Sequence, residues 1–175
     1  MDEIFEFFSI IGDLKSTYRY TRVGERNESS AEHSWRLALM VMALDFGVDK
    51  EKAIKIALVH DLPEAITGDI DAMRIAKGEV SKEEKEQGEI KAINEICKNY
   101  PEIKALWEEY NEASTKEARF VKALDKIETL LQIIEAGKET WDEPDFIYNY
   151  ANKAVADFPE LLPMLQVVKK KIKEL

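Results

Sequence analysis

Hydrophobic positions recur along this chain at three- and four-residue steps almost throughout, the spacing of helices that bury one face. In EIFEFFSIIGDLKS, residues 3–16, Ile4, Phe7, Phe8, Ile11 and Leu14 make one such stripe. Residues 17–28 break the period with charges and aromatics and are expected to form a loop or a short strained helix. Ser-x-x-Glu capping boxes at Ser29–Glu32, Ser81–Glu84 and Ser114–Glu117 then predict three helix starts, because serine and glutamate reciprocally satisfy free amides there. The first opens a helix to about Leu44 whose body, from Trp35 onward, is apolar except for Arg36. Gly47 is placed to end it, and Asp49 to cap a second helix that reaches about His60 through the apolar run Ile56–Val59. Two helices this apolar are expected to be a wholly buried central pair wrapped by the rest.

The later segments are more conventionally amphipathic. Helices are expected over 82–98, over 101–112 with Pro101 at a start position where its missing amide costs nothing, and over 115–136. The last carries Phe120, Val121, Leu124, Ile127, Leu131 and Ile134 on one face. Two more are expected at about 144–157 and 160–174, each with a proline near its start. With no alternating strand pattern, repeat or linker, the fold expected is all-α. It is one domain over residues 1–175, with a core at about 29–137 and the C-terminal helices packed on it.

Composition narrows the class. A chain of 175 residues with 45% hydrophobic content can bury a sizeable core. No apolar run has membrane-spanning length, and the N-terminus lacks the build of a signal peptide. The single Cys97, beside Ile93 and Ile96, suits a core position in a reducing cytoplasm. The net charge of −10 argues against nucleic-acid or anionic-membrane binding, which needs a basic face. One local exception stands out: Arg19, Arg22 and Arg26 fall within eight residues, out of six arginines in the chain.

The candidate chemistry lies in ALVHDLPEAITGD, residues 57–69, where an apolar helix end meets His60, Asp61, Glu64 and Asp69. The chain has two histidines, His33 in the first turn of one apolar helix and His60 in the last turn of the next. A short turn between antiparallel helices puts those ends at the same pole. Asp125 sits at the edge of a third apolar stripe, where half-burial is costly without a partner. Each residue alone has an ordinary explanation: a hydrogen-bonded core histidine, a helix cap, an ion pair from Asp125 to Lys122 or Lys126. Together, two imidazoles and two carboxylates make a mixed nitrogen and oxygen set. Such a set suits Mn, Fe, Co, Ni or Zn better than Mg or Ca.

The order H…HD…D, as His33, His60–Asp61 and Asp125, resembles the HD-domain metal-dependent phosphohydrolases. The wording around it is similar to the small branch containing bacterial 5′-deoxynucleotidases and their archaeal and eukaryotic relatives. It comprises RNESSAEHSWRLALM, ALVHDLPEAITGDI, SKEEKEQGE, LWEEY and EARFVKALDKIE, in order over about residues 12–137. The resemblance implies one divalent metal held by His33, His60, Asp61 and Asp125. It implies catalytic carboxylates at Glu64, which handles the attacking water, and Asp69, which manages the leaving-group proton; those two roles are interchangeable at this point. Arg19 matches an arginine that grips the substrate phosphate, with Arg22 or Arg26 able to share or take that task. Tyr20 stands where relatives carry an aromatic residue, often tryptophan. Arg74 and Lys77 are weaker candidates for a positive entrance, and Arg36 and Arg119 are as readily structural.

The function implied is removal of the 5′-phosphate from deoxyribonucleoside 5′-monophosphates by a cytoplasmic homodimer, with the apolar N-terminal helix as spare contact surface. The competing readings are hydrolysis of a nucleoside triphosphate, an alarmone or a phosphodiester. A further one is a metal- or nucleotide-binding module whose chemistry has lapsed.

Overall fold

The computed structural model describes residues 1–175. Its elements run α1 (Asp2–Gly12), β1 (Tyr18–Val23), β2 (Arg26–Ser29), α2 (Ser30–Ala43), α3 (Lys50–Val59), α4 (Glu64–Thr67) and α5 (Ala72–Ala76). They continue with α6 (Lys82–Ile96), α7 (Pro101–Glu112), α8 (Lys116–Ala136), α9 (Pro144–Asn149), α10 (Asn152–Ala156) and α11 (Leu162–Glu174). The helical architecture is the one the periodicity predicts. No helix is long and apolar enough to cross a membrane.

The central element is α8, against which α2, α3, α7, α10 and α11 pack. Its length allows it to be buried nearly all round: Phe120, Leu124, Ile127 and Leu130 enter the main core, while Asp125, Glu128, Thr129 and Gln132 are buried on another face. Leu37 and Val41 of α2 and Ile56 of α3 meet that core, and α11 closes it with Leu165, Val168 and Ile172. Phe120 is fully buried between Phe46 and Phe158, with ring centroids 5.7 and 5.2 Å away. Phe120→Ala is expected to cost about 3–5 kcal/mol, read as a lower denaturant midpoint at unchanged slope. A smaller cluster joins Leu14, Leu62, Ile93, Ile96, Cys97 and Trp107, so Cys97 occupies the core position its neighbours suggest.

Four expectations need correction. Residues 17–28 are neither loop nor helix: β1 and β2 form an antiparallel hairpin in which Val23 pairs with Arg26. Gly24 takes φ 59 in the two-residue turn, a conformation glycine accepts without a Cβ clash. The capping boxes at Ser29 and Ser81 form, but the third helix start is capped by Thr115, whose side chain accepts from the Ala118 amide. The segment 144–157 is two short helices rather than one. Finally, α2 and α3 are not wholly buried, since Trp35 is 63% exposed and Leu39, Met42 and Leu58 are also on the surface.

Candidate active site

Three helices bring four side chains to one point. His33 enters from the first turn of α2, held by the Ser29 capping box, and is fully buried. His60 closes α3, and the chain turns through Pro63 into α4, leaving Asp61 beside it. The two imidazoles meet edge to face with centroids 5.2 Å apart, as two antiparallel helices with a short connection require. Their Nε2 atoms are 3.2 Å apart, and Asp61 Oδ2 is 3.2 Å from that of His60 and 3.8 Å from that of His33. Asp125 of α8 places Oδ1 3.1 Å from His33 Nε2.

The separations among His33, His60 and Asp61 match what one ion requires, and Asp125 adjoins that group through His33. Bonds of about 2.0–2.2 Å to nitrogen and oxygen set neighbouring ligand atoms roughly 3–4 Å apart. The outward nitrogens of both rings are already committed. His33 Nδ1 donates to Glu128 Oε2 at 2.5 Å, and His60 Nδ1 donates to the Ala57 carbonyl at 2.8 Å. Each ring therefore turns its Nε2 to the common point. Asp125 Oδ2 accepts from Tyr110 at 2.7 Å and pairs with Lys126 at 2.9 Å, which leaves Oδ1 facing His33. The donor set fits a divalent transition metal.

Electrostatics around this point are dominated by carboxylates. Burial opposes ionisation of Asp61, yet the facing His60 and Arg19 hold its carboxyl below the usual range. Burial, then the Asp61 and Asp69 charges, push Glu64 well above the ordinary carboxyl value. Burial also raises Asp69, with Arg19 opposing and Asp61 reinforcing the shift. Burial and Arg19 both disfavour charge on His33, but hydrogen bonds to Asp125 and Glu128 outweigh them and its pKa is pushed up to about 10.

A cavity of about 620 Å³ opens from the cluster, within the range of small-molecule sites. Arg19, Tyr20, His60, Asp61, Glu64, Asp69 and Asp125 line it, with His33 buried behind them. Glu64 is buried and accepts from the Ser30 hydroxyl at 2.6 Å. Gly68 adopts φ 69, the bend that returns Asp69 to the same wall. Arg19 projects from β1, donates to Asp61 Oδ2 at 3.0 Å and to Thr129 at 3.1 Å, and lies 3.5 Å from Glu28. Its guanidinium is thus aimed at Asp61, beside the two histidines.

The other arginines are dispersed. Arg22 donates to the Glu25 carbonyl at the hairpin turn, and Arg26 forks onto Glu32 on the outside of α2. Neither lines the cavity, so the structure does not unite the arginine island with the site. Arg74 pairs with Glu79, and neither it nor Lys77 reaches the cavity. Arg119 donates to the Ala113 carbonyl at the end of α7. The positive side chains that line the cavity beside Arg19 are Lys82, Lys85, Lys122 and Lys126, which sequence reasoning missed. The signal for Lys122 and Lys126 was their flanking of Asp125 on one helix. Tyr20 lines the cavity with its ring, and its hydroxyl donates to the Thr140 carbonyl and accepts from the Asp142 amide. That bond anchors the segment leading to α9, whose Phe146, Ile147 and neighbouring Tyr150 supply an apolar wall.

Comparison with known proteins agrees with this geometry. A family model described as HD domain matches residues 11–165. The 5′-deoxynucleotidase HDDC2 of Dictyostelium discoideum is 40% identical over 156 residues, covering 79% of this chain and 80% of that protein. The Homo sapiens 5′-deoxynucleotidase HDDC2 is 33% identical over 174 residues, covering 93% of this chain and 82% of that one. A solved structure from Magnetospirillum magnetotacticum, described as a predicted metal-dependent phosphohydrolase, superposes with a TM-score of 0.81 at 26% identity, covering 99% of this chain and 95% of that one. The family match runs through α2, α3 and α8, and the chain accordingly belongs to the HD-domain family.

Proposed function

We propose that this chain hydrolyses the 5′-phosphate of deoxyribonucleoside 5′-monophosphates with one divalent transition metal, of the Mn, Co, Ni, Zn or Fe type, held by His33, His60, Asp61 and Asp125. The observation that carries this reading is the convergence of those four groups with Arg19, Glu64 and Asp69 at one cavity. The names of the relatives support the substrate class. When bound, such a metal lowers the pKa of a coordinated water toward about 7 and polarises a phosphoryl oxygen.

The protein supplies the rest. Arg19, held by Thr129 and Asp61, presents a planar fork to the phosphate and neutralises charge that grows in the transition state. Glu64, fixed by Ser30, handles the attacking water, while Asp69 carries the proton that the leaving sugar oxygen needs. Burial raises the pKa of both carboxyls, which favours the protonated form from which a proton can be donated. The apolar wall from α5 and α9 accommodates the nucleoside.

The proposal includes a cytoplasmic homodimer. A single buried cysteine suits a reducing compartment. Phe5 and Phe8 on α1, and Trp35, Leu39 and Met42 on α2, offer exposed apolar surface for a second copy. Phosphate release from matched deoxy- and ribonucleoside 5′-monophosphates, with Mn, Co or Ni added, tests the activity. Faster turnover of the deoxy series is expected. Equal turnover of both series, or none of either, would sink the assignment.

A further inference from the structure

His33 is gripped at both ring nitrogens by two carboxylates of one helix. Asp125 and Glu128 lie three residues apart on α8, so their side chains share a face. Asp125 Oδ1 is 3.1 Å from Nε2, and Glu128 Oε2 is 2.5 Å from Nδ1. Glu128 and His33 are both fully excluded from solvent. A carboxylate is expensive to bury so deeply, and neither ligand binding at the cavity nor the apolar core accounts for it.

Glu128 is itself supported. Its Oε1, turned away from His33, lies 3.6 Å from Arg36 Nε and has no hydrogen-bond partner. Arg36, one turn after His33 on α2, also donates to Gln132 at 2.8 Å and Glu135 at 2.6 Å. Successive turns of α2 therefore engage successive turns of α8, and the buried charge is compensated from the solvent side.

We propose that Glu128 is a positioning residue for the metal centre: it keeps the His33 proton on Nδ1, so that the Nε2 lone pair is presented to the ion. The proposal rests on the reading of His33 as a metal ligand. A neutral imidazole exchanges its proton between two nitrogens, and only the Nδ1–H form ligates through Nε2. An acceptor fixed at Nδ1 selects that form and the ring orientation with it. The Glu28 carboxylate also comes within 4.8 Å of a His33 nitrogen and of Glu128, which offers a second set of ligand atoms. Nδ1 and Oε2 are too close for both to bind one ion there, because ligands on a shared ion stand roughly 3 Å or more apart. Glu128 therefore holds His33, while Glu28 accepts from Thr21 and faces Arg19, and the group does not hold a second metal.

Glu128→Gln tests this without recourse to turnover. Cobalt titration followed by its visible absorption gives stoichiometry and affinity. The wild-type chain is expected to bind one equivalent, and Glu128→Gln to bind about 10–100-fold more weakly, the usual cost of losing such a partner. Nitrogen-15 and proton NMR of the zinc-loaded wild-type protein reads the His33 tautomer and, from a strongly downfield, slowly exchanging Nδ1 proton, its bond to the Glu128 carboxylate, which still decides the matter if the variant does not fold. A proton on Nδ1 is expected. Affinity of a folded variant within twofold of wild type, a proton on Nε2, or two equivalents of metal per chain would each overturn the proposal. A wild-type chain that binds no metal would overturn the ligand reading along with it.

Discussion

Glu64→Gln is expected to lower phosphate release from a deoxyribonucleoside 5′-monophosphate by about 10²–10⁴-fold while leaving bound metal in place. Glu64 is outside the group of converging ligand atoms, and its Oε2 already accepts from Ser30. Glutamine keeps the shape and can keep that bond, so the loss isolates proton handling. Stability should move the other way. Burial and the Asp61 and Asp69 charges raise the folded-state pKa of Glu64 above its ordinary 4.5, so its ionised form costs folding free energy. That cost is absent below the ordinary value, grows as pH rises from there toward the folded-state pKa, and is constant above it. Glutamine never incurs it, so the melting temperature of the variant relative to wild type should be higher at pH 8 than at pH 4. Metal analysis, turnover and two melting curves check all three statements. Full turnover would remove Glu64 from the mechanism, and loss of metal would make it a ligand.

His60→Ala is expected to remove the metal and, with it, activity by about 10³-fold or more, since Lewis-acid stabilisation is worth several kcal/mol and each 1.36 kcal/mol is tenfold. His60 sits 3.2 Å from both His33 Nε2 and Asp61 Oδ2, and its Nδ1 is anchored to the Ala57 carbonyl. No neighbouring nitrogen can replace it. The fold should survive, because Leu37, Ile56 and Leu124 join α2, α3 and α8 in an apolar core that does not include His60. Added Mn or Co should raise the melting temperature of the wild type by ligand linkage and leave the variant unmoved. A variant that retains one equivalent of metal would exclude His60 from the ligand set.

Much of this site was legible along the chain. Two histidines at facing helix ends, a His-Asp pair before a proline and an aspartate on an apolar stripe required only helical periodicity and loop length. The errors share a cause. Residues 18–29 make their backbone bonds across a hairpin, which a search for helical period does not register. Yet aromatic and β-branched residues before Gly24 carried the signal. Ser114 and Thr115 are both able to cap, and the backbone around them, not their chemistry, selects the threonine. Trp35, Leu39 and Met42 are as apolar as core residues, but apolarity states a preference for burial and does not supply the surface that covers them.

The arginine island shows the division most clearly. Sequence placed Arg19, Arg22 and Arg26 together, and the hairpin separated them, sending one to Asp61 and the other two to carbonyl and carboxylate partners on the surface. The sequence by itself determined where the long helices form, which residue types meet at their ends and what metals those types suit, because these depend on neighbours within a turn or two. Only the tertiary structure decided which nitrogen of each histidine turns to their shared point, which arginine enters the cavity and that α9 forms its wall. Those outcomes depend on contacts such as Arg19 with Thr129 and His33 with Glu128, separated by 110 and 95 residues, which no local period encodes.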